Sequence, residues 1–428
     1  MNKKYLIAAL ALGPIAGVAH ADDSNSVTLY GILDVAVGVV EHSANGSATF
    51  PATVNPVNKV STAFKNPVWG MFNGGISDSR WGIRGNENLG GGMSAFFDLE
   101  SGINVPTGTI NNAAGSLAGQ NNTVGVASAL SGQLFNRGAY VGLKQDQYGA
   151  ISLGRTTTLG YDTITNYDPM FAAQLFSPLG FSGSYSAGGI TEGSRTDNNI
   201  KYVNHYGPFN FGLSYSFGGI AGKFGDGSTF GANLGYEAYG MGFQATYYQA
   251  RDALHSGGLT GANAANSAAL GLNVGSLTLT NDEDFMVAAK YSYGPFTVKG
   301  GYEHYILSAP SDPDVPGSTV SYFGYSGTVS NQGFTSVNNV YFFGGDYKIT
   351  PAFDVAVGFY DTQQMGNANQ YGGNQLQYSV LADYHLSHRT DVYAGYMFSK
   401  YNGAEFSNWT NHYQTNNYIA AGGLRTIF

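Results

Sequence analysis

Residues 418–428, YIAAGGLRTIF, alternate between two faces up to the last residue. Tyr418, Ala420, Gly422, Leu424, Thr426 and Phe428 share one parity; Ala421, Gly423 and Arg425 share the other. The first set is small or apolar and ends in an aromatic at each side, while the second carries a charge. A strand of a transmembrane barrel has that form. About 9–11 tilted residues cross the bilayer, lipid-facing and lumen-facing side chains alternate, and aromatic girdles mark both interfaces.

The other terminus fits an exported chain. Lys3 and Lys4 precede an apolar run from Tyr5 to Val18, followed by Ala19-His20-Ala21. This reads as a secretory signal peptide over residues 1–21, cleaved before Asp22, with residues 22–428 as one barrel domain. Beyond it, no apolar run approaches the ~20 residues a spanning helix needs.

Between the termini, period-2 alternation recurs with a fixed rhythm. In VTLYGILDVAVGVV, Leu29, Leu33, Val35, Val37 and Val39 take one face and Tyr30, Asp34 and Ala36 the other. A polar segment over 41–75 leads to SRWGIRG, a tight turn at Asn86–Gly91 and MSAFFDLES. NRGAYVGLK then turns at Asp146–Gly149 into AISLGR. Later strands flank short turns at 206–208, 238–240, 294–295, 349–351 and 386–388. The pattern predicts an all-β fold: a transmembrane sixteen-stranded antiparallel β-barrel with short periplasmic turns and long extracellular loops. Lipid-exposed sheet is viable only when closed in this way. A soluble multi-sandwich would not put every long loop on one side, and a passenger domain with a small C-terminal barrel would confine the pattern to the end.

Composition agrees. Gly (62), Tyr (31) and Phe (26) are abundant, and charged residues make up only 11%. Cysteine is absent, which removes disulfides and Cys-based zinc sites. The formal charge is −9, from 19 basic and 28 acidic residues. Loss of Lys3 and Lys4 would leave 17 against 28, or −11, which argues against nucleic acid as a partner. A mean hydropathy of −0.13 suits a barrel whose strands face water on one side only.

Several segments resemble the general (non-specific) porins of Gram-negative bacteria, in particular the beta-proteobacterial group. They are SVTLYGILDVAVG, SRWGIRGNENLGGGMSAFFDLESG, RGAYVGLKQDQYGAISLGRTTT, YDTITNYDPM, RTDNNIKY and the terminal GLRTIF. The likeness runs along the whole mature chain and is weakest in the outer loops. It implies a homotrimer in the outer membrane, surrounded by lipid and lipopolysaccharide. It also implies that Phe428 is read by the outer-membrane assembly machinery. The third loop, here Leu159–Gly193, would fold inward, with Asp162 and Asp168 facing a ladder of basic wall residues.

Parity selects the wall residues independently. With Trp81 and Ile83 outward, Arg80 and Arg84 face the lumen. With Tyr140 outward, Arg137 faces in. With Ile200 and Tyr202 outward, Arg195, Asn199 and Lys201 face in. An arginine on the lipid side at the bilayer midplane costs about 2–4 kcal/mol. These cations either line the pore or serve as ion-pair partners of lumen carboxylates such as Asp34, Asp98 or Glu100. Asp162 and Asp168 either face the ladder or hydrogen-bond their own backbone. Arg155 shares parity with Ile151 and Leu153. It therefore points outward, either snorkelling or meeting a neighbouring subunit as the family likeness implies. Ile32 is apolar where an enterobacterial relative has a lysine.

Other chemistry finds little footing. GNENLGGG lacks the Lys-Ser/Thr of a phosphate loop and sits in a hairpin turn. The eight histidines show no linear metal-ligand spacing, and no Ser/His/Asp grouping suggests an enzyme. The acidic segments Asn281–Asp284 and Ser311–Asp314 read as solvated loop acids or weak Ca²⁺ ligands. The expected function is passive diffusion of ions and small hydrophilic solutes, without cofactor or metal. A substrate-specific channel and a structural or adhesive barrel are the alternatives.

Overall fold

The computed structural model describes residues 25–44, 67–110, 134–181, 193–219, 222, 224–256, 277–309, 311, 319–322, 325–328, 336–365, 372–403 and 414–428. The expected leader, its cleavage point and residues 312–314 lie outside these. The strands in chain order are β1 (Ser26–Ala44), β2 (Val68–Asn73), β3 (Arg80–Gly90), β4 (Met93–Asn104), β5 (Thr109–Ile110), β6 (Gly138–Gln145), β7 (Gly149–Thr157), β8 (Arg195–Tyr206), β9 (Phe209–Ser216) and β10 (Thr229–Ala238). They continue with β11 (Met241–Ser256), β12 (Leu277–Tyr293), β13 (Phe296–Ser308), β14 (Thr319–Tyr322), β15 (Tyr325–Thr328), β16 (Ser336–Thr350), β17 (Phe353–Met365), β18 (Gly373–His385), β19 (Thr390–Gly403) and β20 (Gln414–Ile427).

Sixteen of these form one closed antiparallel barrel, as the sequence pattern predicts. Each strand pairs with its neighbour, and β1 closes the ring against β20 in the register Ile32↔Ile427 to Val40↔Ile419. Two short strands attach to the same sheet, β2 along the upper half of β1 and β5 on β4, while β14 and β15 pair only with each other. At the seam, the Gly31 and Phe428 backbones exchange hydrogen bonds of 3.1 and 3.0 Å. The Phe428 ring covers Gly31, where a Cβ would lie 2.4 Å from the ring.

The parity argument explains the two faces. Val141, Leu143, Ile151, Leu153, Leu213, Phe243, Phe343 and Val357 stand exposed on the outside, as lipid-facing residues must. Aromatic pairs sit beside the short turns: Phe296 stacks on Tyr347 at 4.3 Å and Phe209 meets Tyr236 at 5.3 Å. They form one girdle of the barrel.

Three expectations need correction. The first hairpin turns at Gly91–Gly92 rather than over 86–91, because Gly90, Gly91 and Gly92 all adopt positive φ and β3 stays paired up to Gly90. The 41–75 segment is not all loop, since its end forms β2 on β1. Asn281–Asp284 lies within β12, and Asp282 and Asp284 point inward and are buried.

Candidate pore constriction

After β7 the chain turns into the barrel. Thr158 caps a short helix, α1 (Leu159–Tyr167), its hydroxyl accepting the Tyr161 N–H at 3.1 Å. Asp162 in the first turn suits the positive end of the helix, and Pro169 ends it. Leu159, Ile164, Tyr167, Met170, Phe176 and Leu179 are at most 1% exposed. Each such burial contributes about 1.5–3 kcal/mol. What receives them is a row of inward glycines. A Cβ added at Gly212 would meet Leu159 at 2.8 Å, at Gly344 Pro169 at 2.8 Å, at Gly358 Met170 at 2.7 Å and at Gly395 Phe176 at 2.7 Å. The loop lies where the wall has no side chains.

Polar contacts fasten it. Thr163 and Thr246 share a 2.7 Å hydroxyl contact, and the Leu175 N–H donates to the Gly75 carbonyl at 3.0 Å. Asp168 is completely buried. It accepts from the Tyr360 hydroxyl and the Ala172 N–H, both at 2.6 Å, while Lys299 donates to its backbone carbonyl at 3.0 Å. Burial pushes the Asp168 carboxyl above the usual carboxylate range, and these hydrogen bonds pull the other way. The expectation that Asp168 confronts the basic ladder is therefore corrected: as the residue capping the end of α1, its carboxylate closes a turn and binds β17. Asp162 does reach the wall, as an ion pair with Lys201 of β8 that Thr157 also joins.

The basic residues gather on the arc from β3 to β8. Glu100 is shared between Arg80 at 3.3 Å and Arg137 at 2.7 Å, and Arg137 also contacts Asp78 at 2.5 Å. Arg195 donates to the Arg137 carbonyl at 2.9 Å and lies over the Tyr161 ring at 5.3 Å. Its guanidinium thus bridges the wall and the loop. Three guanidiniums against two carboxylates leave this cluster one positive charge in excess. Arg84 lies over the Tyr30 ring at 4.9 Å, and the Tyr30 hydroxyl donates to Asp98 at 2.7 Å. Asp34 serves no arginine of this arc; it caps the Gly75–Ser77 backbone.

Two orientations differ from the parity reading. Tyr140 faces inward, opposite Asp98, and contacts it at 3.4 Å, while Val141 and Leu143 face out. Arg137 still points in because it sits at a bend just before β6, where strand parity does not apply. Arg155 is not a snorkelling surface residue. It is 6% exposed, donates to the Asn136 carbonyl at 2.7 Å and pairs with Asp197 at 2.6 Å. A register shift between β7 and β8, with Asn198 at positive φ, allows this. Asn199 faces in and bonds Thr156 at 2.7 Å.

The pattern of the Gram-negative porin family matches residues 7–404. The chain belongs to the Gram-negative porins. Two relatives are each 33% identical to this porin: an outer membrane porin protein of Bordetella pertussis over 226 residues, and outer membrane porin protein 32 of Delftia acidovorans over 218. The matches take in 50% of this porin and 48% and 50% of the relatives, so it spans about half the length of each. The solved anion-selective porin from Comamonas acidovorans is 21% identical, with a TM-score of 0.64 over 95% of this chain and 100% of that one. At that identity the likeness concerns the fold. This porin is a protein of the outer membrane.

Sequence reasoning missed the partners. Asp78, Tyr30, Tyr161, Lys299 and Tyr360 complete these contacts, and only Tyr30 lies on a strand whose inward face was assigned. Asp78 adjoins the SRWG strand, and that proximity is the one signal that could have found it.

Proposed function

We propose that this porin is a passive diffusion channel, rather than an enzyme, for ions and small hydrophilic solutes. The supporting observation is the third loop held inside a closed barrel, between the glycine row and the arc of Arg80, Arg84, Arg137 and Arg195. A loop so placed narrows a polar lumen, and charged groups at a narrowing select ions. The single excess positive charge in the Arg80–Arg137–Arg195 cluster favours anions weakly. Its field dominates within a Debye length of about 8–10 Å.

The porin acts as a homotrimer in contact with lipid and lipopolysaccharide, after removal of residues 1–21 on export. Assembly uses Phe428, a residue 47% exposed at the seam. Arg155, already paired with Asp197 within its own chain, would shape the trimer contact by holding Asn136 in place.

Reconstitution into planar bilayers tests the reading. The expected result is a linear current unaffected by any one sugar or peptide, with a reversal potential slightly toward the anion value. Saturable block by one solute class would replace the general channel by a substrate-specific one. Absence of conductance would replace it by a structural or adhesive role.

A further inference from the structure

At the rim of the lumen beside the β18–β19 turn, Asp383, His385 and Asp391 each offer a ligand atom within 4.8 Å of the other two. Strand parity turns all three inward, and the hairpin pairs His385 with Asp391 directly. His385 Nδ1 lies 2.6 Å from an Asp391 oxygen, and Nε2 lies 3.1 Å from Asp354. Arg425 holds the second Asp391 oxygen with Nε at 2.8 Å and Nη2 at 2.6 Å, and reaches Ser77 at 3.1 Å. Asp383 contributes a different observation. Among the described residues its buried Oδ1 has no hydrogen-bond partner, and its Oδ2 lies 3.9 Å from Arg425. Such an oxygen is completed by an ordered water or by a cation.

We propose that Asp383, His385 and Asp391 bind a divalent transition metal of the zinc class. Three features favour it over a plain ion-pair cluster. An imidazole nitrogen with two carboxylates and a water suits tetrahedral zinc, whereas calcium takes six to eight oxygens. Asp354 stands where a metal-bound histidine keeps its carboxylate: it accepts from Nε2–H and so leaves the Nδ1 lone pair for the metal. Charge closes as well. Asp354, Asp383 and Asp391 against Arg425 leave two negative charges with His385 neutral, which one divalent ion cancels. Without metal both ring nitrogens face carboxylates and both carry protons, so metal entry displaces the Nδ1 proton to water and leaves the neutral Nε2–H imidazole. The contact between Nδ1 and Asp391 then opens by under an ångström to the roughly 3.3 Å spacing of ligands around tetrahedral zinc. The site is separate from the constriction, so the proposal stands independently of the diffusion reading.

The test is titration of Zn²⁺ into the folded mature barrel in detergent, followed by calorimetry and by metal content after gel filtration. One Zn²⁺ per chain is expected. Affinity should fall by roughly tenfold or more in His385→Ala and in Asp383→Asn, and roughly 10–100-fold in Asp354→Asn, which touches no metal. No binding by the wild-type barrel at millimolar Zn²⁺ would overturn the proposal whatever the variants do. So would binding that persists unchanged in both His385→Ala and Asp383→Asn. Each variant is checked for folding by its heat-modifiable migration. Should His385→Ala fail to fold, the wild-type and Asp354→Asn titrations decide.

Discussion

The Tyr393 hydroxyl donates to the Asp34 carboxylate, joining β19 to β1 across the intervening β20. The ring can cross because Gly423 lies beneath it; a Cβ there would sit 2.2 Å from the hydroxyl oxygen. Asp34 also accepts from the backbone N–H groups of Gly75, Ile76 and Ser77 at 3.1, 3.0 and 2.7 Å. One buried carboxylate thus ties together the barrel seam and the turn against which the third loop rests.

Asp34→Ala should destabilise the folded barrel by roughly 2–5 kcal/mol, because buried donors lose their acceptor. Tyr393→Phe should cost only about 1 kcal/mol. The temperature at which folded migration on gels is lost should fall in that order.

Glu100→Gln should raise anion preference. It removes the carboxylate shared by Arg80 and Arg137 while Asp78 continues to hold Arg137. A unit charge about 5 Å from the ion path shifts its free energy by about 0.8 kcal/mol at water's dielectric constant, close to fourfold in permeability. The reversal potential in a salt gradient is the measurement.

Neutralising Arg80, Arg137 and Arg195 together should move the reversal potential the other way, toward cations. An unchanged value would mean that these groups only satisfy one another and Glu100 and Asp78.

Gly358→Leu should displace the third loop, since Met170 and Tyr360 already occupy the space within 2.9 Å of a Cβ there. Single-channel conductance should rise and grow noisier. Gly70→Leu, on β2 with nothing near its Cβ and no positive φ, should leave conductance unchanged and serve as the control.

Strand number, strand order and the inward set Arg80, Arg84, Asn199 and Lys201 were legible in the sequence, because period-2 burial against lipid leaves a strong mark on each strand. The reading failed where backbone leaves that period. Tyr140, taken as a lipid-facing aromatic, stands opposite Asp98, and only the bend before β6 keeps Arg137 inward; the shift between β7 and β8 hid Arg155. Helix α1 was invisible because its apolar residues serve a berth made of distant glycines. The trio Asp383, His385 and Asp391 escaped a search for linear ligand spacing, although counting inward positions across the hairpin turn brings all three together.

The glycine row on β9 to β19 and the charged residues on β3 to β8 occupy separate arcs of the same circumference. The glycine arc seats the loop; on the other arc Arg195 and Lys201 touch it, while Arg80 and Arg84 pair within the wall. Changes at the glycines and at Arg80 or Arg84 should therefore add independently. Ion preference can then drift by substitution on one arc without reopening how wide the passage is.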